Sequence, residues 1–391
     1  MKYFDELVLA GKRVFVRADL NVPLAKDGSI ADDNRIRASL PTISHVLSSG
    51  GSVVLCSHLG RPEGVDPKFS LKPVAARLEE LLKTKVTLAP DCVGPETHKL
   101  AASLPKGEVL LLENVRFHSA EEENKLDFAK ELASLADVYI NDAFATAHRK
   151  HASTAGIAQF FTEKGAGYTV KTELTFFNKA FANPIRPFAA IFGGAKVSTK
   201  MKAIRFAGVK ADKVIIGGAM ANTFFVAQGL SVGKSLYEPE EVENAKATIA
   251  ALKEADCEIL LPVDLVVANE MKAKVSKKIV KPSEIPSDTM ALDVGPETDK
   301  LFTKALSQSA TIVWNGPMGA FEIEDFSTGT YNIVDTLAES QALTVVGGGD
   351  TDLALHQKHA YDKMSYVSTA GGAFLKLLEG GTLAAVKALE E

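Results

Sequence analysis

Short apolar runs rich in β-branched residues alternate along this chain with longer stretches whose apolar positions recur every three to four residues. A strand buried on both faces reads as a continuous apolar run and a covering helix shows the 3.6-residue period, so the alternation predicts parallel sheets clothed by helices. The predicted strands are 13–18, 52–56, 86–89, 109–112 and 138–140 in the first half, and 188–192, 214–216, 258–261, 311–314, 343–346 and 365–368 in the second. No fixed solenoid period links them. Between the halves, 170–182 reads as a helix with Leu174, Phe177 and Phe181 on one face, ended by Asn183-Pro184. Gly380-Gly381 closes a later helix, and Thr382 is the expected cap of a last one carrying Leu383, Val386 and Leu389. A helix that short needs a surface to dock on.

The 391 residues exceed one domain of about 150 residues and fit two. With 46% apolar and 24% charged residues the chain can bury a sizeable core, which excludes disorder. Forty-four Lys and Arg against 49 Asp and Glu leave a net charge of −5, the wrong sign for a general nucleic-acid binder. Any anion site must then be local. Cys56, Cys92 and Cys257 lie far apart and show no metal-ligand spacing, so neither a zinc site nor a disulfide framework is expected, and a reducing cytoplasm fits. The first residues hold no apolar run suited to secretion. The longest uncharged stretch, 214–233, contains Gly217, Gly218, Asn222, Gln228 and Gly229 and reads as strand, turn and helix rather than a membrane span.

Ligands of open parallel sheets bind beyond the carboxyl ends of the strands. In the first half those ends carry Arg17, Asp19 and Asn21, then Ser57-His58-Leu59-Gly60-Arg61, Glu113 to Arg116, and Asn141-Asp142 with His148-Arg149 shortly after. This rim suits a small polyanion. In the second half they carry Gly193-Gly194-Ala195-Lys196, Gly217-Gly218, Asn315-Gly316-Pro317, Gly347-Gly348-Gly349-Asp350 and Ala370-Gly371-Gly372. Glycine lets backbone N–H groups approach a ligand, and this rim suits a nucleotide.

Each signal has a plainer alternative. If the first strand continues to 21, Arg17, Asp19 and Asn21 share a face; the alternative is an Arg17–Asp19 ion pair with Asn21 closing a turn. Together with Arg35, His58, Arg61, Arg116 and Arg149, a converging cluster explains them better, since arginine recognises phosphate and carboxylate bidentately. His58 alone could be a core histidine. His148/His151 and His356/His359 lack the supporting pattern of a metal site. Lys196 and Lys200 are four apart at an expected helix start, a like-charge pairing that an anion would relieve. Asp350 opens an apparent helix and can reach a magnesium ion, or else simply caps that helix. Glu322 can hold a ribose or lie exposed. Neither G-x-x-x-x-G-K-[ST] nor G-x-G-x-x-G occurs.

The segments RVFVRADLNVP, SHLGRP, ENVRF, NDAFATAHR, GGAKVSTK, IIGGAMA, WNGPMGAFE, VGGGDT and STAGG, in this order, resemble the phosphoglycerate kinase family along nearly the whole chain. The resemblance implies an α/β enzyme of two Rossmann-like, three-layer (αβα) parallel-sheet domains joined by a helix and hinge, with the active site in the interdomain cleft. It implies a phosphoglycerate-binding domain at 1–169, a helix at 170–182, a nucleotide-binding domain at 183–380, and a final helix at 381–391 returning to the first. The reaction implied is ATP plus 3-phosphoglycerate to and from ADP plus 1,3-bisphosphoglycerate, with magnesium, in a cytoplasmic monomer without nucleic-acid or membrane partners. By motif, Asp19, Leu20, Asn21, Arg35, His58, Leu59, Gly60, Arg61, Arg116 and Arg149 would hold phosphoglycerate. Lys200, Gly217, Gly218, Asn315, Pro317, Glu322, Gly348, Gly349, Asp350 and Thr351 would hold the nucleotide, with Asp350 on the metal. The sequence departs from the family pattern at Ala145 and Ala370, where glycines are expected.

A substrate carboxylate with a pKa near 3.5 is already ionised at neutral pH, so no catalytic base is expected. Catalysis reduces to in-line positioning and charge neutralisation, for which Arg17, Lys196 and the amides of Gly371 and Gly372 are the candidates. The two different rims predict that the domains close on their substrates. A non-catalytic metabolite sensor would be marked by loss of Arg17, Lys196 or Asp350, and all three are present. A dinucleotide-dependent dehydrogenase would need the missing glycine fingerprint.

Overall fold

In the strand Arg13–Arg17 every residue after Arg13 is buried, which only a central strand with both faces covered permits. The computed structural model describes residues 1–368 and 370–391; Thr369, within STAGG, lies outside the described residues. The chain divides into two compact units, Met1–Leu174 with Thr382–Glu391, and Thr175–Gly381.

The first unit holds a seven-stranded parallel sheet in the order Lys2–Tyr3, Lys164–Ala166, Val138–Asn141, Arg13–Arg17, Ser52–Cys56, Val109–Leu111, Val86–Leu88. Val14, Val16, Val53 and Leu55 enter one core cluster. Phe15, Val54 and Tyr139 are just as buried on the opposite face. The edge strand Lys2–Tyr3 and its neighbour Lys164–Ala166 escape the sequence pattern because they are too short to show it. The chain reverses direction across the sheet at Arg13–Arg17, whose neighbours are Ser52–Cys56 and Val138–Asn141.

The second unit holds a six-stranded parallel sheet in the order Glu258–Leu260, Lys213–Ile216, Phe188–Phe192, Thr311–Asn315, Leu343–Gly347, Tyr366–Ser368. In chain order that is 3-2-1-4-5-6, with its switch point between Phe188–Phe192 and Thr311–Asn315. Separate apolar clusters cover its two faces. A three-stranded antiparallel sheet, Lys277–Val280, Leu265–Ala268 and Met290–Val294, was not expected. Its edge strand Lys-Lys-Ile-Val is largely exposed and lacks an apolar run.

The helix expected at 170–182 starts at Tyr168, runs to Phe177 and finishes as a π-turn, Asn178–Ala182. Phe181 is buried as expected, but so is Glu173. The last helix is Ala384–Glu390, with Leu383 rather than Thr382 at the cap position. Leu383, Ala385 and Leu389 are buried, the Ala385 N–H donates to Ala147 O at 3.0 Å, and the helix packs on Lys164–Ala166 and on the turn Gly156–Phe160. Among the described residues no helix is long and apolar enough to cross a membrane.

Candidate functional site

At the carboxyl ends of the first sheet the strand stops at Arg17, so Arg17, Asp19 and Asn21 do not share a strand face. Beyond it the Leu20 N–H donates to Ser57 Oγ at 2.9 Å, and Asn21 Oδ1 accepts from the Gly60 N–H at 2.8 Å, tying two strand ends together. Asp19 pairs with Arg35, Nη1 2.6 Å from Oδ2, and not with Arg17 as the plainer alternative would have it. Gly60 sits at φ +62 with the Phe69 ring where a Cβ would stand, so only glycine fits there. Asn114 Nδ2 donates to Leu59 O at 2.7 Å and Arg116 Nη1 to Gly60 O at 2.6 Å, which fixes the Leu59-Gly60 backbone. Arg149 is half-buried and Arg61 exposed.

Arg17 was expected to touch the migrating phosphoryl group, but its side chain is 1% exposed. Its Nε donates to Ser153 Oγ at 2.8 Å, its Nη1 to the Ala18 carbonyl, and its Nη2 lies 3.4 Å from His58 Nδ1. These bonds hold the guanidinium beneath the rim, while 38% of the Arg35 side chain is exposed at its surface. His58 is 4% exposed; burial first, then Arg17, Arg116, Arg149 and Arg35, hold its pKa well below 6.5. Behind Arg17 stands Glu121, also buried, accepting from the Ser153 hydroxyl at 2.6 Å and the Ser153 N–H at 2.8 Å. Burial pushes this carboxyl above its usual range, and Arg17 and Ser153 pull against that. Sequence reasoning placed Ser57 and Asn114 on the rim by their position after strands but missed Glu121 and Ser153, which follow no strand directly.

In the second unit the glycine rim is tightly packed backbone. Gly193 N–H donates to Asn315 O, Gly194 to Pro317 O, Gly217 to Phe192 O and Gly218 to Met318 O, so those amides are spent within the rim instead of facing a ligand. A Cβ on Gly193 would lie 2.1 Å from Pro317 O, which explains the glycine sterically. The amides suited to an anion are those opening the helices Gly349–Gln357 and Gly371–Leu378, whose first turns have no intrahelical acceptors. Lys200 Nζ donates to Gly193 O at 2.7 Å and Asn315 O at 3.0 Å, spanning the switch point of the sheet. Burial brings its pKa down to about 8, with Asp350 opposing. Lys196 is exposed and precedes the helix Met201–Gly208, so no helical pairing with Lys200 exists.

Asn315 Nδ2 donates to Gly347 O at 2.8 Å, and Thr351 Oγ1 bonds Gly347 O and Gly348 O, so both side chains brace the turn. Pro317 is buried, and Glu322 is exposed on a loop. Gly348, at φ +110, occupies the cap position, and Asp350 lies exposed inside the first turn rather than capping it. Ala370 sits at φ −111, a conformation open to alanine, and Ala145 lies in the turn Phe144–Thr146 outside the positive-φ set.

Contrary to the expectation from cysteine spacing, Cys92 gathers with Asp91 and His118, their ligand atoms all within 4.8 Å. The cluster already bonds internally: Asp91 Oδ1 lies 2.7 Å from His118 Nε2 and accepts from the Cys92 N–H at 2.6 Å.

The phosphoglycerate kinase family model matches residues 4–381. A cytosolic phosphoglycerate kinase of Triticum aestivum is 53% identical over 389 residues, 99% of this chain and 97% of its own. A phosphoglycerate kinase of Geobacter metallireducens is 51% identical, covering 100% of this chain and 99% of its own. The solved structure of phosphoglycerate kinase from Coxiella burnetii aligns with a TM-score of 0.92 at 43% identity, covering 100% of this chain and 98% of that one.

Proposed function

This chain belongs to the phosphoglycerate kinase family, and from that premise we propose how its two half-sites divide the work of its reaction. The activity is phosphoryl transfer between ATP and 3-phosphoglycerate, giving ADP and 1,3-bisphosphoglycerate, a step of glycolysis. The observation that supports the division is the contrast between the rims: arginines around a buried neutral imidazole on the first unit, a desolvated lysine and helix amino termini on the second.

On the first unit, Arg35, Arg61, Arg116 and Arg149 hold the phosphate and carboxylate of 3-phosphoglycerate, with Asp19 and Asn21 setting the loop that carries them. The acceptor carboxylate needs no base. On the second unit, Lys200 and the first-turn amides of Gly349–Gln357 bind the nucleotide phosphates. Asp350 fits magnesium: it is an exposed hard-oxygen donor beside a phosphate-binding turn, and that ion typically takes one or two carboxylates plus phosphate oxygens. Magnesium there would screen charge on the phosphates. Exposed Lys196 and the amides of Gly371 and Gly372 neutralise the migrating phosphoryl group. In-line transfer requires both substrates to be brought together with water excluded, so domain closure belongs to this reading. We also place the protein in the cytosol as a monomer; three buried free cysteines suit a reducing compartment.

The test is a coupled assay of ATP formation from 1,3-bisphosphoglycerate and ADP. Turnover that vanishes with Lys196→Ala and collapses on magnesium chelation is expected. Binding of both ligands without turnover would instead show a metabolite sensor.

A further inference from the structure

The four side chains Glu121, Ser153, Arg17 and His58 form a buried chain in which the direction of every hydrogen bond is forced. Arginine has five N–H donors and no acceptor, so its contact with His58 Nδ1 is a hydrogen bond only if that nitrogen carries no proton. A neutral imidazole then keeps its single proton on Nε2. Arg17 is aimed by its other bonds: Nε onto Ser153 Oγ and Nη1 onto the Ala18 carbonyl. Ser153 has one hydroxyl proton, and giving it to Glu121 Oε1 turns a lone pair toward the Arg17 Nε–H. Glu121 is held in turn by the Ser153 N–H on Oε2, and its own carbonyl accepts from the Ala152 N–H at 2.9 Å.

We propose that Glu121 and Ser153 are positioning residues for phosphoglycerate binding: acting through Arg17, they lock His58 as the neutral Nε2–H tautomer at the centre of the arginine rim. The rim thereby gains a fixed neutral donor instead of a further cation crowded among four arginines. The groups facing His58 are consistent with this, since Arg17, Arg35, Arg116 and Arg149 all disfavour a charged ring. His151 belongs to the same cluster, with Nδ1 3.8 Å from Glu121 Oε1; burial first, then Arg116, Arg149 and Arg17, bring its pKa down to about 4 against the pull of Glu122. Glu121 is thus the buried carboxylate that faces these cations from behind. The sequence hides this chain of contacts because its members come from four separated segments.

The proposal rests on the assignment of this rim to phosphoglycerate, and its test has one arm independent of that assignment. Long-range nitrogen–proton NMR on the intact, histidine-labelled protein should show His58 as a pH-insensitive Nε2–H tautomer. A His58 that carries its proton on Nδ1, or titrates with an ordinary pKa, overturns the proposal whatever the enzyme binds. Glu121→Gln and Ser153→Ala should each release the tautomer into a mixture and raise KM for 3-phosphoglycerate by about tenfold or more, with nucleotide KM within about twofold. The sign discriminates mechanisms. Removing a negative charge from beneath a cationic rim would by itself tighten anion binding, so a lowered KM in Glu121→Gln means a purely electrostatic role and overturns the positioning one. Ser153→Ala alters no charge, and an unchanged phosphoglycerate KM there is equally fatal. If the tautomer is as stated but phosphoglycerate does not bind even the wild type, the substrate assignment fails instead.

Discussion

Lys200 is a cation placed where charge is penalised. Its ammonium is desolvated against two carbonyls, Gly193 O and Asn315 O, and burial brings its pKa from 10.5 to about 8. Near pH 8 the free protein therefore holds the lysine about half-protonated, and an arriving phosphate restores the full charge. Nucleotide binding at pH 8 should take up a proton, and at pH 6.5 it should not. Calorimetry in two buffers of different ionisation enthalpy measures this, and Lys200→Met should abolish the uptake; buffer-independent heats at pH 8 would remove Lys200 from the phosphate site. The same shift gives a stability signature: the unfolded chain binds more protons between about pH 8 and 10.5, so this residue's contribution to stability rises with pH through that window. At this scale the sequence showed which residues carry charge at strand ends, because position after a strand is local information. It did not show that Arg17 faces inward, since burial of a strand-end side chain depends on partners such as Ser153, 136 positions away.

Helix starts show what local capping rules miss. Thr382 and Asp350 follow those rules, and neither caps. Several amino termini are instead satisfied by buried aspartates reaching over from strand ends or adjoining turns. Asp142 accepts from the Thr169 N–H at the start of Tyr168–Phe177, and Asp293 from the Gly329 N–H at the start of Thr328–Glu339. Asp264 accepts from the Glu297 and Thr298 N–H groups and the Thr298 hydroxyl at the start of Pro296–Ser307. The approach is so close that a Cβ on Gly295 would meet Asp264 Oδ2 at 2.4 Å. Asp264→Ala would leave two amides without their acceptor and the buried Thr298 hydroxyl with only the backbone carbonyl of residue 264. We expect a loss of about 1–3 kcal/mol in denaturant unfolding, whereas an exposed helix residue such as Glu297→Ala should cost under about 0.5 kcal/mol. Equal losses in both variants would show that the cap is not what stabilises this helix. Strand patterns were readable because buried parallel strands announce themselves as apolar runs. The antiparallel strand Lys277–Val280 was not, because its residues are mostly exposed and its pairing with Leu265–Ala268 is set by tertiary contact.

At the scale of the molecule, the net charge of −5 says little about a protein that gathers Arg17, Arg35, Arg116 and Arg149 around His58. The path of the chain says more. It leaves the first unit after Leu174, builds the whole second unit, and returns at Thr382 to finish the first. The returning helix inserts Leu383 and Leu389 into the first unit and hydrogen-bonds Ala147, two residues before Arg149. Its cost of ordering is met by that burial, since a helix of seven residues is unstable alone. Deleting residues 382–391 should therefore damage a unit that is remote in sequence. Phosphoglycerate KM should rise and the unfolding temperature of the first unit should fall, while nucleotide binding to the second unit is retained. Leu389→Ala gives a milder version, about 2–4 kcal/mol of destabilisation from the cavity alone. Calorimetry with and without nucleotide separates the units, because nucleotide stabilises only what it binds. If the deletion weakens nucleotide affinity and leaves phosphoglycerate KM unchanged, the returning helix does not brace the Arg149 segment.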